Sequence, residues 1–212
     1  ADQVRLQRLQ QIRQLKPRHE TFSALEQERR VAPVPLPAVL TTSHIQAEPI
    51  EGTPAAAGGD DVVEAIRALF PTTVGASAIQ FVPGPAADTG VSLRIGCVLS
   101  GGQASGGHNV ISGLFDWLKA NATGSDSALF GFLDGPQGIY NGNYIELYRE
   151  RVSLYRNQGG FDMIGSGRHK IHGRQFEQAL KVAQKLRLDG IVVIGGDDSN
   201  TNAAMLGEYF QK

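Results

Sequence analysis

Two short apolar runs, Leu93 to Leu99 (LRIGCVL) and Ile191 to Ile194 (IVVI), each give way almost at once to glycine. Runs of this length, too short for buried helices, read as strands covered on both faces. The first leads through SGGQASGG into a helix whose apolar face is read as Val110, Ile111, Leu114, Trp117 and Leu118. The second leads through GGDD into a helix beginning near Ser199. Ser127 to Leu133 reads as another strand. Phe176, Ala179, Leu180, Ala183 and Leu186 recur at helical spacing, with glutamine and lysine opposite. Strands alternating with helices imply a parallel sheet built by right-handed crossovers. The expected fold class is therefore α/β, a Rossmann-like parallel sheet with flanking helices over residues 91–212.

Residues 1–90 read as an irregular N-terminal extension and linker. Leu6, Leu9, Ile12 and Leu15 make a thin apolar stripe on a helix. Pro33, Pro35 and Pro37 then force extended chain, because each ring fixes φ and removes a backbone donor. Residues 51–60, rich in alanine and glycine, read as a linker. A short helix follows, capped by Asp60 or Asp61, with Val62, Val63, Ile66 and Leu69 on one face and Pro71 at its end. The region resembles a docking arm more than a self-sufficient core.

A net charge of −1 carries no electrostatic footprint for nucleic acid or an anionic membrane. The single cysteine, Cys97, excludes an intrachain disulfide and suits a reducing, cytoplasmic setting; within its apolar run it reads as a small core residue. No apolar run is long enough to span a bilayer, and the N-terminus has no secretory apolar stretch.

Ligands of open parallel sheets bind beyond the carboxyl ends of the strands, where both glycine segments fall. Glycines in Ser100 to Gly107 let the backbone approach a ligand, and the following helix end suits phosphate. The spacing matches neither common nucleotide fingerprint, so a bare strand-to-helix turn fits this loop as well as a phosphate cradle. Adjacent Asp197 and Asp198 suit a divalent cation held through oxygen. One aspartate would serve as a helix cap, and two in succession favour a site. Arg168, His169, Lys170, His172 and Arg174 form a dense positive segment. Arg168 is the choice there for an anion, since guanidinium grips phosphate with two parallel donors, while most of the others read as a solvated loop.

Three segments, LSGGQASGGHNVISGLFD, YRNQGGFDMIGSGR and LDGIVVIGGDDSNTNAAMLGEYF, resemble the pyrophosphate–fructose 6-phosphate 1-phosphotransferases, most of all the long type that includes the plant catalytic (beta) subunit. The likeness spans 91–212, with a weaker echo in IRALFPTTVGASAIQF. It implies phosphoryl transfer from pyrophosphate to fructose 6-phosphate, with Mg2+ as cofactor and other phosphofructokinase subunits as partners. By position it implies that Gly101, Arg168 and Ser199 contact the diphosphate and that Asp197 is catalytic and binds magnesium. Asp198 is counted as catalytic with it, and matches the residue that separates pyrophosphate users from ATP users, whose relatives carry glycine in GGDGS. The resemblance departs at Ser105, where proline is usual. The family's T-I-D-G-D segment, with its catalytic base and preceding lysine, is also missing before Lys212. The chain is therefore expected to be an N-terminal fragment, its α/β part an incomplete first domain, without appreciable turnover of its own. Two other readings are weighed: an ATP-dependent sugar or lipid kinase, disfavoured by Asp198, and a non-catalytic regulatory subunit, disfavoured by retention of both aspartates.

Overall fold

The computed structural model of the chain describes residues 21–35, 44–54, 60–74, 76–85, 90–103 and 105–212. The stripe from Leu6 to Leu15, the prolines beyond Pro35, residues 55–59 of the expected linker and the side chains of Asp60 and Asp61 lie outside the described residues. The described residues form two compact units, one within Ala1–Pro33 and Thr89–Asn200, the other within Val34–Asp88 and Thr201–Lys212.

The first unit is built on strand β3 (Arg94–Ser100), its numbering following β1 (His44–Pro54) and β2 (Ser77–Gly84) of the second unit. β3 pairs in parallel with β4 (Ala128–Phe132), Arg94 facing Ala128 and Val98 facing Phe132. It also pairs in parallel with β7 (Gly190–Ile194), Ile95 facing Gly190 and Leu99 facing Ile194. At its carboxyl end Leu99 and Ser100 take up the two-residue β6 (Ser166–Gly167), again in parallel. The expected all-parallel sheet is corrected at one edge, because β5 (Tyr144–Glu146) runs antiparallel to β4. The reason is the connection: residues 133–143, which hold helix α4 (Gln137–Asn141) with Asp134 and Gly135 at positive φ before it and a left-handed Gly142 after it, turn the chain back before a full crossover can form, and helix α5 (Arg149–Ser153) follows β5.

Side chains alternate across the sheet. Cys97, Leu99, Leu129 and Leu133 join Ile111, Phe115 and Leu118 of helix α3 (Gly107–Asn121) in one core. Gly96 and Phe132 lie on the other face, where a Cβ at Gly96 would stand 2.7 Å from the Phe132 ring and 3.2 Å from Leu188, just after helix α6 (Gln175–Leu186). On α6 the buried residues are Ala179, Val182, Ala183 and Leu186, with a Glu177–Lys181 ion pair outside, close to the expected pattern. The α3 expectation needs correction: Val110 and Trp117 are 45% and 53% exposed, and Phe115 fills the core instead. At about 100° per residue those two stand roughly 100–120° round the helix from Ile111, outside an apolar stripe of ordinary width. Burial pushes the Cys97 thiol up to about 12, which keeps it protonated and inert as a core residue.

The region read as irregular carries regular structure. Helix α1 (Ala24–Val31) is capped by Ser23, whose hydroxyl accepts from Glu26 N at 3.0 Å. It is fastened to the first unit where Asn157 donates to Glu26 and Ser23 donates to the Arg156 carbonyl. In the second unit β1 and β2 form an antiparallel hairpin, so residues 51–54, expected in the linker, belong to a strand. One face of that hairpin (Ile45, Ala47, Pro49, Ile79, Phe81 and Pro83) is exposed throughout.

Helix α2 (Asp60–Leu69) ends before the turn opened by Pro71, as expected. There the backbone N–H groups of Thr72 and Thr73 and the Thr73 hydroxyl donate to the buried Glu208 carboxylate at 3.0, 2.9 and 2.7 Å. Glu208 belongs to helix α7 (Asp197–Phe210). Burial pushes its carboxyl up, and the donors outweigh this, leaving the pKa below the ordinary value. A carboxyl so lowered stabilises the fold above its unfolded pKa of about 4.3 and stops doing so as pH falls through the folded value. In Glu208→Gln the melting temperature at neutral pH is expected to fall, and the variant should lose less on acidification than the parent. Thermal melts from neutral to acid pH that coincide for the two proteins would refute this.

Candidate functional site

Three strand ends converge, and each owes its shape to glycine. β3 ends at Ser100, after which Gly101 sits at φ +100°, a conformation that side chains rarely adopt, and its N–H donates to the Gly167 carbonyl at 2.9 Å. β6 ends at Gly167 and releases Arg168. β7 ends at Ile194, and Gly195 is pressed so closely that a Cβ there would stand 2.5 Å from the Ser100 carbonyl and 2.6 Å from Ser199 Cβ. Gly196 then caps α7, its carbonyl accepting from Ser199 N and Asn200 N at 3.0 Å each. The helix thus starts at Asp197, two residues before the expected Ser199.

These ends enclose a cavity of about 360 Å³. The five residues singled out from the sequence, Gly101, Arg168, Asp197, Asp198 and Ser199, all line it. Ser100, Gly102, Lys170 and Gly196 line it too. His169, His172 and Arg174 are exposed and do not. The Ser100 and Ser199 hydroxyls are buried and stand 2.8 Å apart, tying the end of β3 to the start of α7. The Arg168 guanidinium lies over Gly102, where a Cβ would stand 2.8 Å from Nη2.

The charges divide the cavity. Asp197 and Asp198 stand in the first turn of α7, where the helix dipole favours negative charge. Among the described residues, neither Arg168 nor Lys170 forms a hydrogen bond or ion pair. Two cations and two carboxylates therefore share one opening without neutralising each other. Such an opening can take an anion on its basic side and a cation on its acidic side.

Among the described residues no group of three or more His, Cys, Asp or Glu is arranged to hold a metal. A paired carboxylate with open solvent beside it still fits magnesium, which keeps several waters and binds through one or two carboxylates plus ligand phosphates. No helix among the described residues is long and apolar enough to cross a membrane. Sequence reasoning had the acidic pair and the arginine, and passed over Lys170. The available signal was the Arg-His-Lys spacing just past a strand, which in extended chain turns the first and third side chains the same way.

The family model described as phosphofructokinase matches residues 94–211. The beta subunit of pyrophosphate–fructose 6-phosphate 1-phosphotransferase from Solanum tuberosum is 48% identical over 193 residues, covering 90% of this chain and 33% of that protein. A pyrophosphate–fructose 6-phosphate 1-phosphotransferase from Treponema pallidum is 50% identical over 157 residues, covering 69% of this chain and 27% of that one. The chain thus spans about a third of the length of the curated relatives it matches. A crystal structure of Pichia pastoris phosphofructokinase in the T-state aligns over 59% of this chain and 13% of that one, at 23% identity and a TM-score of 0.45.

Proposed function

Because the chain belongs to the phosphofructokinase family, we propose that it supplies the phosphoryl-donor pocket of a protein that transfers a phosphoryl group from pyrophosphate to fructose 6-phosphate, giving fructose 1,6-bisphosphate and phosphate. The observation that carries this reading is the meeting in one cavity at the strand ends of Asp197 and Asp198 with Arg168 and Lys170, which have no hydrogen bond or ion pair among the described residues. On this reading residues 91–212 are the opening part of the catalytic domain and 1–90 its extension. The named subunit of the potato relative supports assembly with further phosphofructokinase subunits.

Phosphoryl transfer is catalysed mainly by positioning and charge stabilisation, and the lining residues singled out from the sequence each have a part in that. The positive-φ backbone at Gly101 leaves a face on which donor oxygens can lie. Arg168, poised over Gly102, grips a phosphoryl oxygen pair. Ser199, fastened to Ser100, presents its hydroxyl at a fixed depth. Asp197 is the residue that would hold magnesium, which when bound neutralises charge on the diphosphate oxygens.

Asp198 sets the donor. A carboxylate placed where a nucleotide's inner phosphate would lie brings two negative charges together. At about 4 Å and an effective dielectric of about 20, that repulsion is roughly 4 kcal/mol as an upper guide. Pyrophosphate, being shorter, escapes it. Calorimetric titration of the chain in magnesium buffer is expected to detect pyrophosphate and not ATP, with binding lost on chelating the metal. Asp198→Gly should improve ATP affinity relative to pyrophosphate at least tenfold. ATP binding the parent as tightly as pyrophosphate would defeat the proposal in favour of an ATP-dependent kinase.

A further inference from the structure

Lys170 has no role in the arrangement above, yet it sits in the same cavity. Beyond Gly167 the chain runs through 168–172 without helix or strand. Arg168 and Lys170 line the cavity, His169 between them does not, and Ile171 is buried at 1% exposure. That alternation carries two cations into one opening along about 6–7 Å of chain. Four partly buried or surface arginines of this unit have partners: Arg94 and Arg187 both bind Asp126, Arg156 binds Asp116, and Arg151 donates to the Met163 carbonyl. Lys170, half-buried, has neither hydrogen bond nor ion pair among the described residues, though two carboxylates line the same cavity.

The local charge count points the same way. Asp197 and Asp198 contribute −2, and Arg168 with Lys170 contributes +2, so the bare cavity is neutral. Without Lys170 the bare cavity would carry −1, and Arg168 would be its one basic side chain. Arg168 is committed to the Gly101–Gly102 side, where its guanidinium lies over Gly102. A ligand with one phosphoryl group can be satisfied there. A ligand with two leaves its second group to be met by another cation.

We propose that Lys170 is the second phosphate-binding cation of this site, gripping the phosphoryl group of a diphosphate that Arg168 does not hold. This rests on the reading of the cavity as a diphosphate site. The test is calorimetric titration of the chain in magnesium buffer with pyrophosphate and, separately, with orthophosphate, for the parent, Lys170→Met and Lys170→Arg. Lys170→Met is expected to weaken pyrophosphate at least tenfold while changing orthophosphate less than threefold, and Lys170→Arg to hold pyrophosphate within about threefold of the parent. Lys170→Gln, of similar length and polar, serves if the methionine variant does not fold. Unchanged pyrophosphate affinity in the methionine or glutamine variant overturns the inference alone. So does an equal loss for both ligands, which marks a general field rather than a grip on the second group. A parent that binds no pyrophosphate overturns the reading of the site and the inference with it.

Discussion

Asp197→Asn is expected to reduce magnesium-dependent pyrophosphate affinity about a hundredfold or more. The substitution keeps the side chain's size, its place at the start of α7 and its capacity to accept hydrogen bonds, and removes one unit of charge. Beside a divalent cation, a lost charge at about 4 Å and an effective dielectric of about 20 removes roughly 8 kcal/mol of gross attraction. Part of that is returned because the aspartate no longer has to shed water, and a hundredfold corresponds to only about 2.8 kcal/mol. The same change at the neighbouring carboxylate, Asp198→Asn, should be much milder toward pyrophosphate, because that residue is assigned to refusing nucleotides rather than to holding the metal. Calorimetry in magnesium buffer separates the two. Affinity of the Asp197 variant within threefold of the parent would remove the metal assignment, and equal losses in both variants would mean that the pair acts as one undivided charge.

The second large effect is structural and lies just behind the site. Gly135→Ala is expected to destabilise the first unit by about 3 kcal/mol or more, a large share of a typical domain's stability. Gly135 sits at φ +87°, and a Cβ there would stand 2.6 Å from Gly167 Cα, with backbone on the other side of the clash rather than a side chain that could swing away. Strain at that dihedral alone costs about 1–3 kcal/mol, and the steric contact adds to it. A drop of roughly 6–12 °C in melting temperature follows for a protein of this size. The site should suffer as well, because Gly167 accepts from Gly101 N and is the last residue before Arg168. Gly113→Ala is the control. That glycine is exposed on α3 with nothing within 4 Å of a built Cβ, so alanine should be neutral or stabilise by up to about 1 kcal/mol. Similar melting temperatures for both variants would show that the Gly135–Gly167 approach is not the constraint described.

Arg94–Ser100 was legible because a strand covered on both faces must be apolar along its length, and Gly190–Ile194 forms the expected strand but is half-buried throughout rather than covered on both faces; each differs from the expected run by a residue or so at either end. The hairpin of β1 and β2 was not legible. Its strands carry Pro49, Pro54 and Pro83, which read as breaks in extended structure, and a two-stranded sheet buries too little to leave an alternating pattern. Trp117 misled for a related reason: apolar residues at helical spacing mark a stripe, but only the neighbouring sheet decides which edge of it is covered.

At the site, glycine and acidic residues placed just past apolar runs identified the loops, since few other arrangements allow so tight a turn from strand to helix. What local sequence could not supply was separation in space. The pairing of β3 with both β6 and β7 brings Ser100, Arg168 and Asp197 to one opening, and the reach of Glu208 to Thr72 and Thr73 spans the chain from its second helix to its last. Residue type and local spacing determined which backbone turns and which charges this protein has. Strand order, set by the burial of a whole sheet at once, decided which of those charges line the same cavity.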